Sequence, residues 1–83
     1  MTDPILNRNK VREMLAWAPT RRFSDELLLA NIDRLGLEKP TVMELHQALE
    51  WNKGKGFIEA FYNGKQDFYE WQITPAGLRE EGL

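Results

Sequence analysis

The chain has 83 residues, of which 42% are hydrophobic and 29% are charged, and its formal net charge is −2. This length supports one modest hydrophobic core, so we predict a single domain over residues 1–83. The absence of cysteine excludes disulfides and thiolate metal sites. No apolar segment reaches membrane-spanning length and the N-terminus lacks a secretory layout, so we expect a soluble cytoplasmic protein that does not engage a membrane.

The charge is unevenly distributed along the chain. Residues 1–22 contain five basic and two acidic side chains, whereas residues 23–83 contain six basic and eleven acidic ones. A protein that wraps nucleic acid usually has a net basic composition. The sequence therefore offers a basic N-terminal end and not a basic domain.

Two amphipathic helices are predicted in the first half of the chain. The first covers residues 4–17, begins after Asp3 with Pro4, and is ended by Pro19. The second covers residues 24–35. The apolar residues with helical spacing are Val11, Met14, Leu15 and Ala18 in the first helix, and Leu28, Leu29, Ile32 and Leu35 in the second.

A third helix is predicted over residues 41–52. Thr41 and Glu44 have the spacing of a capping box, in which each side chain accepts a hydrogen bond from the other residue's backbone N–H. Its predicted core face contains Val42, Leu45 and Leu49.

Alternating apolar and polar residues then predict two strands, over residues 57–62 and 67–74. Asn63-Gly64 between them favours a two-residue turn, because both positions tolerate positive φ. That turn would place Tyr62 opposite Lys65. A hairpin slipped to a four-residue loop would instead set one glutamate against another, an unfavourable pair.

The end of the second strand leads directly into a short C-terminal helix. Thr74 can cap that helix, and Pro75 suits its first position. The predicted core of the whole domain consists of Val11, Leu15, Leu28, Ile32, Leu35, Val42, Leu45, Leu49, Ile58, Trp71 and Ile73. Trp17 is a further core candidate.

This order of three helices, a hairpin and a last helical turn resembles the winged-helix family. The likeness lies in TVMELHQALEWNKGKGFIEAFY, as a third helix running into a wing, and in WQITPAGLRE, as the return strand with its Thr-x-x-Gly finish. Within the family, the chain is most similar to small bacterial and phage proteins. The resemblance implies an α+β fold, a three-helix bundle with a C-terminal β-hairpin wing (winged helix-turn-helix).

One residue departs from the family pattern. Asn52 occupies a position that is often apolar in such domains. Either the third helix ends before this position, or its last turn faces solvent.

The resemblance also implies a function, because the third helix of winged-helix domains commonly enters the DNA major groove. We therefore expect double-stranded DNA binding and transcriptional regulation. Glu50 on the exposed helix face would oppose phosphates. The candidate DNA-contacting residues are Arg21, Arg22, Met43, Gln47, Lys53, Lys55 and Lys65.

The alternative is a winged-helix module that binds a protein partner or a second copy of itself. Its candidate interface residues are Met43, Glu50 and Trp51. On the helical wheel Trp51 lies opposite Val42, so it is either an exposed aromatic anchor or packed beneath the hairpin.

Residues for catalysis are scarce. The chain has one histidine, and its glycines do not form a phosphate-binding loop. His46 and Glu50 lie four residues apart on one helix, but two ligands are too few for a metal site. We expect His46 to be a hydrogen-bonded interfacial residue, and we expect no enzymatic activity and no cofactor.

Overall fold

The structure, a computed structural model, describes residues 2–83 and has the predicted α+β class. It contains four helices and a three-stranded antiparallel sheet. In chain order the elements are α1 (Pro4–Trp17), β1 (Phe23–Ser24), α2 (Asp25–Arg34), α3 (Val42–Gly54), β2 (Ile58–Asn63), β3 (Phe68–Ile73) and α4 (Pro75–Glu80).

Each helix begins where the sequence predicts, at a side chain that accepts a hydrogen bond from a backbone N–H of the first turn. These capping residues are Asp3, Ser24, Thr41 and Thr74. The capping box of α3 is complete: Thr41 Oγ1 accepts from the Glu44 N–H at 3.1 Å, and Glu44 Oε1 accepts from the Thr41 N–H at 2.9 Å.

The sheet has the strand order β1-β3-β2, and β1 was not predicted. This strand is two residues long and pairs Phe23 with Trp71 of β3. Two residues are too few for an alternating pattern, so only the pairing with β3 defines the strand. Through it, the segment before α2 is joined to the hairpin formed by β2 and β3.

The predicted register of the hairpin is wrong, although the predicted faces are right. Tyr62 pairs with Tyr69 and not with Lys65, while Ile58 pairs with Ile73. The register is shifted by an even number of residues, so each side chain keeps its face. Ile58 and Ile73 thereby meet in the core.

The loop of the hairpin explains this register. Four residues, 64–67, separate the last pair, and Asn63 Oδ1 accepts hydrogen bonds from the backbone N–H groups of Lys65 and Gln66. The left-handed conformation falls on Asp67, with φ of 58°. A side-chain-stabilised loop therefore replaces the expected turn centred on Asn63-Gly64.

One hydrophobic core lies between the helices and the sheet. It contains Val11, Met14, Leu15, Ala16, Phe23, Leu28, Ile32, Leu45, Ala48, Leu49, Ile58, Trp71 and Ile73. Nine of the eleven predicted core residues are among them. Leu35 and Val42 are not, being 48% and 63% exposed, and the further core candidate Trp17 is 61% exposed.

These errors arise at helix ends. Leu35 follows the last residue of α2, and Val42 is the first residue of α3. The buried face of α3 is centred between Leu45 and Ala48. The predicted core face, which was centred on Val42, was therefore rotated about the helix axis relative to the observed one.

The Thr-x-x-Gly sequence closes the sheet against α4. The Thr74 N–H donates to the Phe57 carbonyl at 2.9 Å. A Cβ at Gly77 would overlap that same carbonyl oxygen. Only glycine therefore permits this approach of α4 to the start of β2.

Within residues 2–83, no helix combines the length and apolarity needed to cross a membrane.

Candidate nucleic-acid interface

Helix α3 presents one face to solvent. Met43, Gln47 and Glu50 lie on it, opposite the buried Leu45 and Ala48. Met43 is 70% exposed. These three residues were predicted on this face, and the corrected phase adds His46, whose side chain is 52% exposed.

Glu44, by contrast, is held at the start of α3. Its Oε1 accepts from the Thr41 N–H and its Oε2 from the Thr2 N–H, both at 2.9 Å. These backbone hydrogen bonds lower the pKa of Glu44 to about 2, from an ordinary 4.5. The carboxylate therefore satisfies backbone donors and is not aimed outward from the exposed face.

Glu50 also has a partner. Its Oε1 lies 3.5 Å from His46 Nε2, while His46 Nδ1 lies 3.3 Å from Asp25 Oδ2. Asp25 Oδ1 in turn accepts from Trp71 Nε1 at 2.6 Å. His46 is thus hydrogen-bonded between elements, as expected, and links α3 to α2 and to the buried end of the sheet.

These residues do not assemble a metal centre. Within residues 2–83, no group of three or more histidine, cysteine, aspartate or glutamate side chains is placed to hold a metal ion.

Two of the predicted cations lie on aromatic rings beside the sheet. The guanidinium carbon of Arg22 is 3.7 Å from the centre of the Phe61 ring, and that of Arg21 is 5.3 Å from the centre of Phe23. Both arginines are exposed. The rings restrain the guanidinium groups while their N–H donors stay available.

The predicted lysines occupy separate positions along the second half of the chain. Lys53 lies in the last turn of α3, Lys55 follows that helix, and Lys65 lies in the hairpin loop. All three are exposed. Among the described residues, the only ion pair of a lysine or arginine joins Arg12 to Glu81. The predicted lysines and arginines therefore have no carboxylate partner within residues 2–83.

Trp51 was expected to be either an exposed aromatic anchor or packed beneath the hairpin, and the structure places it between these two alternatives. The side chain is half-buried, and its ring packs against Phe57, just before β2, at 6.3 Å between centroids. Arg8 of α1 lies over the same ring at 4.7 Å, and Lys55 at 5.5 Å. Trp51 is therefore a platform for two cations.

Asn52 corrects both sequence expectations about the end of α3. The helix continues to Gly54, and Asn52 is fully buried. Its Nδ2 donates to the backbone carbonyls of Ala48 at 2.9 Å and Arg8 at 3.0 Å. Its Oδ1 accepts from Arg12 Nη1 at 3.2 Å.

Two further nitrogens of Arg12 extend this network. Nε donates to Glu81 Oε2 at 2.7 Å, and Nη2 donates to Asn9 Oδ1 at 2.9 Å. We call Asn9, Arg12, Asn52 and Glu81 the Arg12 network. Sequence reasoning missed it and missed Arg8, because no local pattern connects positions so far apart in the chain.

An open groove of about 680 Å³ runs between the start of α1 and α3. The groove is lined by Arg8 on the α1 side and by Met43 and Gln47 on the α3 side. Arg8 therefore borders the exposed face of α3.

No protein-family model matches the sequence, and a search of curated proteins finds no match.

Proposed function

We propose that this protein is a winged-helix domain that binds double-stranded DNA and regulates transcription in a bacterium or phage. The chain order supports this arrangement, because three helices precede a hairpin that follows directly from α3. The pairing of β1 with β3 supports it further, since it joins the hairpin to the segment before α2. A cytoplasmic location belongs to the same proposal, because the DNA to be regulated lies there.

The observation that carries the proposal is the charge arrangement around α3. The carboxylate of Glu44 is bonded to backbone N–H groups, and that of Glu50 lies beside His46. The exposed cations around the helix have no carboxylate partner among the described residues. Contacts of lysines and arginines with phosphates supply essentially all of the non-specific affinity of proteins for DNA.

In this proposal each group has a separate role. Gln47 on the exposed face of α3 can make paired hydrogen bonds to adenine in the major groove. Lys53, Lys55 and Lys65 contact backbone phosphates, together with Arg21 and Arg22 near α2. The domain then acts by occupying its site, without catalysis.

The test is a salt titration of binding to a random-sequence duplex. Lys65→Gln should lower the slope of log affinity against log salt by about 0.9, because one fewer counterion is released. Glu50→Gln should strengthen non-specific binding, because a negative charge leaves the α3 face. Glu80→Gln in α4 removes the same charge elsewhere and should have a smaller effect. Absence of duplex binding at low salt, where attraction is least screened, would overturn the proposal.

Exposed apolar side chains at the start of α3 favour a second candidate, a protein-interaction module. Val42 and Met43 are 63% and 70% exposed and adjacent in sequence. Aromatic and methionine side chains are enriched at protein interfaces. If this candidate is correct, Met43→Ser should abolish self-association or partner capture, whereas the lysine variants should not change it. Sedimentation measurements would detect the self-association.

A further inference from the structure

Arg8, Trp51 and Lys55 form a cluster that the sequence hypothesis does not include as a unit. The two cations come from α1 and from the residue after α3, and both lie within 5.5 Å of the centre of the Trp51 ring. We call these three residues the Trp51 cluster.

The backbone of Arg8 is hydrogen-bonded to α3. Its carbonyl accepts a hydrogen bond at 3.0 Å from the buried Asn52 Nδ2, which fixes this turn of α1 against α3. The guanidinium then lies over Trp51, whose ring is itself packed on Phe57. The position of the charge is therefore set before any ligand arrives, which lowers the entropy cost of binding.

Neither cation of the cluster is neutralised. Among residues 2–83 the ion pairs involve only Arg12 and His46 as basic partners. The Arg8 guanidinium also makes no hydrogen bond within that part of the chain, so its N–H donors are unoccupied. A cation without a carboxylate partner attracts an anion that comes close to it. The cluster thus has the composition of a surface that binds anions.

The location of the Trp51 cluster indicates which kind of anion it binds. Arg8 lines the groove with Met43 and Gln47, so it borders the exposed face of α3 on the α1 side. Arg21 and Arg22 instead directly precede β1, and Lys65 lies in the loop between β2 and β3. We propose that Arg8 and Lys55 each contact a backbone phosphate of the duplex whose major groove receives α3. This inference rests on the proposed function and adds a phosphate contact from α1.

The experiment compares the salt dependence of binding to a random-sequence duplex for wild-type protein, Arg8→Gln and Lys55→Gln. Each substitution should lower the slope by about 0.9, so that the affinity loss between about 50 and 200 mM salt shrinks three- to fourfold. Arg8→Lys keeps the charge and should retain the wild-type slope, which separates lost charge from lost fold.

Lys10→Gln is the matched control. It removes one charge from the opposite side of α1, where Lys10 Nζ donates to the Glu38 carbonyl. Its slope should equal that of wild type. If Arg8→Gln and Lys55→Gln also keep the wild-type slope while Lys65→Gln lowers it, the Trp51 cluster contacts no phosphate. DNA binding then stands, with Lys55 removed from its phosphate contacts. If wild-type protein binds no duplex at low salt, the proposed function itself fails.

Discussion

Arg8 and Arg12 lie one turn apart on α1 and face the same helix, yet their hydrogen-bond partners differ. Arg12 is 7% exposed and donates to Asn9, Asn52 and Glu81. Arg8 is half-buried, makes no ion pair among residues 2–83, and rests on the Trp51 ring. An arginine side chain is thus part of a hydrogen-bond network at position 12 and an unpaired charge at position 8.

The difference shows that the partner of a charge determines its role. A buried guanidinium must have its donors bonded, since an unpaired buried charge is costly. A cation on an aromatic ring gains only about 0.5–1 kcal/mol at an exposed site and keeps its donors for a ligand. The Arg12 network therefore stabilises the contact between α1, α3 and α4, and the Trp51 cluster is available for binding.

The largest expected effect on stability tests whether Arg12 stabilises the fold while Arg8 does not. Arg12→Met should lower the free energy of unfolding by about 3 kcal/mol, because it leaves Glu81 and Asn52 without their donor. Arg8→Met should lower it by less than about 1 kcal/mol. Urea denaturation followed by circular dichroism measures both. Equal losses would contradict the assignment of separate roles.

A second prediction concerns the acceptor at the centre of the Arg12 network. Asn52→Leu should cost about 1–3 kcal/mol of unfolding free energy, because Arg12 and the Arg8 carbonyl each lose a buried partner. Asn9→Ala removes one partly buried hydrogen bond of the same arginine and should cost less. A stabilised Asn52→Leu variant would show that this position prefers an apolar residue and that the buried amide is dispensable.

A third prediction separates the platform from the charges in the Trp51 cluster. Trp51→Leu retains Arg8 and Lys55, so the salt slope of duplex binding should not change. Affinity should fall about two- to fivefold for each of the two cations that loses its contact with the ring. A lower slope for Trp51→Leu would mean that the ring itself controls how many phosphates are contacted. Thermal unfolding of the variant checks that the fold is retained.

The smallest expected effect concerns Glu44 of α3, whose carboxylate accepts a hydrogen bond from the backbone of Thr2, just before α1. Its pKa is lowered to about 2 by hydrogen bonds from the Thr41 and Thr2 N–H groups. Its stabilising contribution should be complete above about pH 4.5 and lost as the pH falls towards 2. The difference in stability between wild type and Glu44→Gln should therefore shrink over that interval. A difference that is constant with pH would exclude the ionised carboxylate as its source.

The sequence predicted the elements better than it predicted the contacts between them. The capping residues identified every helix start because a cap acts within one turn. Alternation gave the faces of the hairpin because it has a period of two. The register failed because the Asn63 side chain bonds to the following backbone and selects a longer loop.

Only the part of the candidate site that depends on local spacing was predicted. Met43, Gln47 and Glu50 lie on the exposed face of α3, as helical spacing indicated. The positions of Arg8 and Trp51 depend on how α1 crosses α3, and that crossing has no signature within either segment.

The sequence by itself determined the order of the helices and of the two hairpin strands, the residues that cap the helices and most of the core, since these depend on interactions between near neighbours. Tertiary structure alone decided that Asn52 is buried, that Arg12 is bonded to Glu81, and that Arg8 meets Trp51. Those contacts join residues about 40 to 70 positions apart. Their formation depends on the packing angles of whole helices, which no local pattern encodes.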